Sequence, residues 1–330
     1  MFIFLFFVAC SPQRINSHHD EIQSNYSNEA SSQITIINVH QGDATLIQTD
    51  KGRRILIDTG NYFDEDRSLL KYLQTIGVYS LDAVFLTHFD LDHMGGILLF
   101  NTGLDENELT GDEIEIKAVY DRGLSDLQLN SFDNQYLEEF NQVRQEVYPG
   151  NQLIFDNVFI TVLLVNGRSL KSSVTLNPDD ENAHTAVYLV EVAGLKFLNM
   201  GDLPSKSDLE TNHNNLDILV GETSGNVDFI HIGHHGSRYS TSQDLLDLTK
   251  PEVALLSVGN NNTYGHPTYE VLNRLQENST DIYLTEKGNG ATMTNTLIAE
   301  GNINLKIYVD GSWEITPPQR AFGAELFNNH

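Results

Sequence analysis

The sequence predicts a mixed α/β fold, a sandwich of two β-sheets covered by helices. Two observations predict it. Short apolar, β-branched runs punctuated by Gly, Asp and Asn occupy both the N-terminal and the C-terminal parts of the chain. Segments with apolar residues at helical spacing are interspersed among them, and layers of these two kinds bury one another's apolar faces. The 330 residues, 40% of them hydrophobic, suffice for one large domain or two small ones and describe a folded, soluble protein. No internal repeat is visible.

The chain opens with Phe-Ile-Phe-Leu-Phe-Phe-Val-Ala at 2–9, an apolar run too short to cross a bilayer as a helix. It closes on Cys10-Ser11, as a signal segment does. Phe7-Val8-Ala9-Cys10 resembles a bacterial lipobox, whose cysteine becomes the lipid-bearing N-terminus. No Lys or Arg precedes the run, which leaves open a start further upstream. The expectation is an exported lipoprotein anchored at Cys10, or a cytoplasmic chain if the segment is no signal. Cys10 is the one cysteine, so disulfides are not expected and any metal falls to His and carboxylate. Residues 11–32, rich in Ser, Asn, Gln and His, read as a tether in which His18 and His19 are solvated.

From Gln33 the pattern changes. Ile34–Val39, Ala44–Thr49 and Arg54–Asp58, separated by Gly- and Asp-containing turns, predict an antiparallel meander. Residues 67–76 carry apolar groups at helical spacing and Gly77 ends them. Leu81–Thr87 is the next strand. Phe132, Tyr136, Phe140, Val143 and Val147 recur at three or four, which predicts one amphipathic helix with its aromatic groups in the core. Strands follow at Val158–Val165, Ala186–Val192, Lys196–Met200 and Val227–Ile232, then helix and strand alternate over 241–257 and 267–285. A β segment from Gly290 to about Thr316 closes the pattern. The boundaries expected are a signal segment at 1–10, a tether at 11–32, a folded domain at 33–316 and a tail at 317–330.

The formal charge of −27, from 46 acidic and 19 basic residues, repels phosphodiester backbones and leaves no electrostatic footprint for gripping a long duplex. Most of those carboxylates must be solvated surface. One cluster differs: His88-Phe89-Asp90-Leu91-Asp92-His93, four ligand-capable side chains in six residues where an apolar strand ends. No strand or helix aims all four one way, whereas a turn can converge them on one point or on two adjacent points. Asp92 and His93, being neighbours, would serve different sides. Met94-Gly95-Gly96 then permits tight backbone.

Other candidates end other strands. Asp202, in Met200-Gly201-Asp202, is placed to bridge two cations, although a turn Asp is the default for that position alone. His234 and His235 are adjacent imidazoles that usually take different partners, one on metal and the other orienting substrate or packing. His184, before the strand at Ala186, is a further ligand or an ordinary polar residue. Asp58 is a turn carboxylate or one that accepts from a ligating imidazole. His266, in Tyr264-Gly265-His266-Pro267, donates to a substrate oxyanion or merely starts a helix. Two divalent cations held by such a set would lower the pKa of a bridging water to give hydroxide and clamp a phosphoryl or carbonyl oxygen. No Ser-His-Asp or Cys nucleophile is apparent.

The order Asp58-Thr59-Gly60, His88-x-Asp90-x-Asp92-His93, Gly201-Asp202, His234-His235-Gly236-Ser237, Tyr264-Gly265-His266-Pro267 resembles the metallo-β-lactamase superfamily. Within it, Val39-His40-Gln41-Gly42-Asp43-Ala44 is similar to the start of the ComEC-like competence branch, where Gly commonly stands at His40. The resemblance spans about residues 33–310. It implies a four-layered αββα sandwich with the metals at one edge of the sheets. It implies two divalent ions, Zn²⁺ or Mn²⁺, held by His88, Asp90, Asp92, His93, Asp202 and one of His234 and His235, with His184 near a third metal motif that is often merely polar in this branch. Asp90 replaces the commoner His, a harder oxygen donor that favours manganese somewhat. Asp92 and His266 are the catalytic groups expected from the residues themselves. The competence proteins carry a multispanning channel that is not seen here, so the expectation is a hydrolase domain alone, a phosphodiesterase or DNase. Its substrate would be a small phosphoester or single-stranded nucleic acid. A phosphocholine ester, a lactone or a non-catalytic metal-binding surface protein are the alternatives.

Overall fold

The computed structural model describes residues 31–64, 66–104, 111–125, 129–205 and 216–316. The expected signal segment with Cys10, the expected tether through residue 30 with His18 and His19, and the tail at 317–330 lie outside the described residues, while Ser31 and Ser32, expected in the tether, open the first strand.

Two large sheets dominate. The first runs in the order 313–316, 303–308, 31–36, 45–48, 54–57, 83–85, 119–121, 144–146. The second runs 168–169, 158–165, 187–192, 195–199, 229–231, 253–256, 281–284, 296–298, with 152–155 paired to 158–165. Alternation along each strand explains how they stack, since successive side chains leave opposite faces. Ile55 and Ile57, Ile47, Phe229, Val253 and Leu255 enter one apolar layer between the sheets. Leu46 and Leu56 face away from it and pack with Leu69, Leu70, Leu73, Tyr136 and Phe140 from the helices Ser68–Thr75 and Ser131–Phe140. Ile230, Ala254 and Leu256 do the same on the other sheet, against helices Leu216–Ser224, Gln243–Thr249 and Tyr269–Glu277. Three apolar layers therefore separate four structural ones, helix, sheet, sheet, helix.

The expected meander is present, antiparallel through Ser31–Ile36, Thr45–Gln48 and Arg54–Ile57. The helix at 67–76 forms at Ser68–Thr75, and Gly77 leaves it with φ 72°. Two expectations fail. The helix expected through Val147 stops at Phe140, because Arg144–Glu146 joins the first sheet beside Val119–Asp121, where Arg144 meets the buried Asp121 carboxylate at 2.5 and 2.7 Å. The strand expected at Leu81–Thr87 is two pieces. Ser80–Leu81 pairs with Glu115–Ile116 and only Ala83–Phe85 enters the sheet.

Candidate metal centre

The candidate site sits where strands of both sheets end. In the first sheet, the parallel strands Arg54–Ile57 and Ala83–Phe85 lead to Asp58 and to the His88–His93 loop. In the second, the parallel strands Leu195–Asn199, Phe229–His231 and Val253–Leu256 lead to Asp202, His235 and Ser257. The C-terminal edge of parallel strands is where loops from several elements converge, which is why open α/β sheets bind ligands there. Asp90 precedes a single helical turn, Leu91–Met94, that carries Asp92 and His93. A Cβ on Gly96 would stand 1.9 Å from the Thr59 carbonyl oxygen, so only glycine lets this turn close on the Asp58–Gly60 loop.

Three buried imidazoles are fixed from behind. His93 Nδ1 lies 2.9 Å from Asp58 Oδ2, a carboxylate that can only accept, so Nδ1 carries a proton and Nε2 is the nitrogen left to bind a metal ion. Thr87 Oγ1 donates its hydrogen to the same Asp58 oxygen at 2.8 Å. It therefore accepts from His88 Nδ1 at 3.0 Å, and His88 too presents a free Nε2. His235 Nδ1 donates to the Ser257 carbonyl at 3.2 Å, with Asp43 Oδ1 at 3.5 Å. Asp58 thus sets one imidazole directly and a second through Thr87. It does so with φ 57°, a left-handed conformation that costs a non-glycine residue about 1–2 kcal/mol.

The free atoms face one another. His93 Nε2 stands 3.2 Å from Asp202 Oδ1, His235 Nε2 3.4 Å from Asp92 Oδ2 and 3.6 Å from Asp202 Oδ2, and His234 Nε2 3.7 Å from Asp202 Oδ2. His88, His93 and Asp202 form one triad of ligand atoms, and Asp92, His93 and His235 another. The Nε2 atoms of His88, His93 and His235 and Asp202 Oδ1 are buried without a hydrogen-bond partner. Buried polar atoms are almost always satisfied. Two ligands each at 2.0–2.1 Å from a tetrahedral ion stand about 3.3 Å apart, close to the spacings found. The residues fit divalent cations. The electrostatics agree: burial favours neutral Asp202, yet His93, His235 and His234 outweigh it and hold its carboxyl well below the usual range. Burial likewise opposes charge on His93, but Asp202 and Asp58 outweigh it and favour the protonated ring, whose Nε2 proton a cation at that position would replace.

Of the residues expected at the site, His88, His93, Asp92, Asp202 and His235 are brought together. His234 lies at the rim with 29% of its side chain exposed. Asp90 is more open, its Oδ2 3.5 Å from His88 Nε2. His266 is mostly buried, its ring 5.7 Å from that of His234, and burial together with His234 and His235 lowers its pKa to about 4. His184 is not brought to the cluster. Its Nδ1 meets Asn166 Oδ1 at 3.0 Å and its Nε2 the Asn177 carbonyl at 3.3 Å, beside a cavity of about 410 Å³ lined by Tyr148 and Arg168.

Sequence reading missed Asp43 and His231. Asp43 is buried behind His235 and His93, and its amide donates to the Asp92 carbonyl at 3.0 Å. His231 lies 3.6 Å from Asp43 and binds Ser257 through Nε2. The Gly42-Asp43 pair was visible as a turn, but nothing local marks its carboxylate as buried. Glu181 was also missed: it accepts from the Phe89 amide at 2.8 Å and from the fully buried Arg122 at 2.7 Å, which ties the metal loop to the second sheet.

Residues 37–259 match the model of the metallo-beta-lactamase superfamily. ComE operon protein 3 of Bacillus subtilis (strain 168) is 26% identical over 272 residues, 77% of this chain and 32% of that protein. Competence protein ComA of Neisseria gonorrhoeae is 27% identical over 261 residues, 78% of this chain and 31% of that one. The chain thus spans about a third of the curated relatives it matches. The crystal structure of the metallo-beta-lactamase fold protein YhfI from Bacillus subtilis aligns over 78% of this chain and 98% of its own, at 16% identity and TM-score 0.49. Among the described residues no helix is long and apolar enough to cross a membrane. The chain belongs to the metallo-beta-lactamase superfamily, whose members are generally metal-dependent hydrolases, and has competence proteins among its relatives.

Proposed function

We propose that this chain is a metal-dependent phosphodiesterase acting on a small phosphoester or single-stranded nucleic acid, exported and held at the cell envelope through Cys10. The observation that carries the reading is the set of buried, unpartnered ligand atoms, His88 Nε2, His93 Nε2, His235 Nε2 and Asp202 Oδ1, at the open edge of both sheets.

His88, Asp90, Asp92, His93, Asp202 and His235, with His234 at the rim, would hold two divalent cations, Zn²⁺ or Mn²⁺. Such a pair lowers the pKa of water and polarises a phosphoryl oxygen. The chain supplies the rest. Asp58, Thr87 and Ser257 keep the three imidazoles in the tautomer that points a lone pair inward. His266, neutral at pH 7 because burial and the neighbouring imidazoles oppose its charge, has one ring N–H to donate to a substrate oxygen. The acidic surface favours a short or single-stranded substrate over a duplex.

The test is hydrolysis of bis(p-nitrophenyl) phosphate and of single-stranded DNA by the chain from Ser11 on, metal-free and then with manganese or zinc. Metal-restored cleavage of both supports the reading, and cleavage of the small ester alone narrows it to a compact substrate. Inactivity on both overturns it, in favour of a phosphocholine ester, a lactone or metal binding without turnover.

A further inference from the structure

We propose that Tyr264 is the stacking platform for the base of a nucleotidyl phosphodiester whose phosphate lies at the metal centre. This deepens the phosphodiesterase reading and rests on it.

A line of rings leads from the buried cluster to solvent. His234 Nε2 is 3.7 Å from Asp202. The His234 ring meets His266 edge-on, centroids 5.7 Å apart at 81°. His266 in turn stacks against Tyr264, centroids 5.7 Å apart at 25°. Tyr264 is 69% exposed, so the ring that ends the line is open to solvent beside His266. Two imidazoles, His234 and His266, stand between Asp202 and the Tyr264 ring, so the line joins the metal centre to an exposed aromatic surface without a break.

The loop that presents Tyr264 is held firmly. Asn262 Nδ2 donates to the Gly259 carbonyl at 2.8 Å and to the His266 carbonyl at 2.9 Å, while its Oδ1 accepts from the His266 amide at 2.9 Å. Asn289 donates through its amide to the His266 carbonyl and through its side chain to that of Asn262, both at 2.9 Å. A Cβ on Gly290 would sit 1.7 Å from the Pro267 carbonyl oxygen, so the two segments touch at backbone distance. An aromatic ring on so fixed a loop loses little further entropy on taking a ligand, which is the advantage of preorganisation.

Charge selects this kind of handle. A chain of net charge −27 cannot grip nucleic acid chiefly by its phosphates. Base faces carry no charge, and stacking on aromatic side chains tolerates any base. In a duplex those faces are already stacked, whereas in a single strand they are free. Tyr264 therefore favours single-stranded or dinucleotide substrates.

The experiment compares wild type, Tyr264→Ala and Tyr264→Phe, all metal-loaded, on dithymidine monophosphate and on the same backbone with tetrahydrofuran in place of each nucleoside. For the alanine variant KM rises about five- to a hundred-fold on the dinucleotide, with kcat kept and no change on the abasic ester, and phenylalanine restores the wild-type value. Saturation transfer from protein to the base protons of thymidine 5′-monophosphate is strong in wild type and lost in Tyr264→Ala. Equal KM changes on both esters, or undiminished saturation transfer, overturn the role of Tyr264 while leaving the phosphodiesterase reading intact. No cleavage of either ester or of bis(p-nitrophenyl) phosphate by wild type overturns both.

Discussion

Asp58→Asn isolates how much of the metal site is made by groups that never touch metal. Asp58 Oδ1 accepts from the Thr87 amide at 2.8 Å, and an asparagine oxygen can keep that bond. Its other position would then carry an NH₂ facing His93 Nδ1–H at 2.9 Å and the Thr87 hydroxyl at 2.8 Å, donor against donor. The least costly escape is for His93 to move its proton to Nε2, which removes the lone pair at the centre. Thr87, freed from donating to the carboxylate, no longer fixes His88. Loss of one such supporting partner costs about 10–100-fold in metal affinity, or about 1.4–2.8 kcal/mol. Two imidazoles are affected here, so the larger value is expected. Thr87→Val should disturb His88 alone and give the smaller one. The assay is competition against a chromophoric chelator, with urea unfolding of the metal-free proteins alongside. Wild-type metal affinity in Asp58→Asn, with the fold intact, would refute the tautomer relay.

Asp92→Asn should abolish turnover of bis(p-nitrophenyl) phosphate with little change in the unfolding midpoint of the metal-free chain; retained turnover would sink the two-cation mechanism. Gly42→Ala places a Cβ 2.5 Å from the Asp92 carbonyl oxygen at φ 147°, and should cost about 1–3 kcal/mol together with metal affinity, read by urea unfolding and chelator competition. Asp121→Ala strands the largely buried Arg144 guanidinium and removes the acceptor of the Tyr136 hydroxyl at 2.6 Å, so denaturant unfolding should show a loss of about 3–5 kcal/mol. His266 in the metal-free chain should titrate by NMR near 4, as burial and the neighbouring His234 and His235 lower it. Since that value lies below the unfolded one, stability from neutral His266 is full above pH 6.5 and is lost as pH falls toward about 4.

The parts of this molecule that were legible are those whose meaning is local. The His88–His93 loop concentrates its ligands in six residues, and the strands of the meander announce themselves by β-branching and turn residues. Asp202 and His235 were legible as candidates because each ends a strand beside glycine. What the structure adds is long-range. Asp43 becomes a supporting carboxylate because the strand after it brings the Gly42–Asp43 turn under the metal loop, 49 residues on, through the bond to Asp92. Glu181 and Arg122 meet across sheets, and neither has a local signal. His184 was read from its position before a strand, but Asn166 and Asn177 occupy both its nitrogens. Val143 and Val147 continued a helical spacing that the sheet overrode once Arg144 found Asp121. His40, where the ComEC-like branch commonly has Gly, adopts φ 59°, a region that suits glycine, and its imidazole meets Glu286 at 2.9 Å.

The central claim is that the cluster around Asp202 is built for two divalent cations. Equilibrium dialysis of the metal-stripped chain against zinc or manganese, followed by elemental analysis, tests it most directly. The account predicts about two ions bound per chain in wild type and a loss of both sites' affinity in Asp202→Asn. No stoichiometric binding in wild type, or unchanged stoichiometry and affinity in that variant, would contradict it.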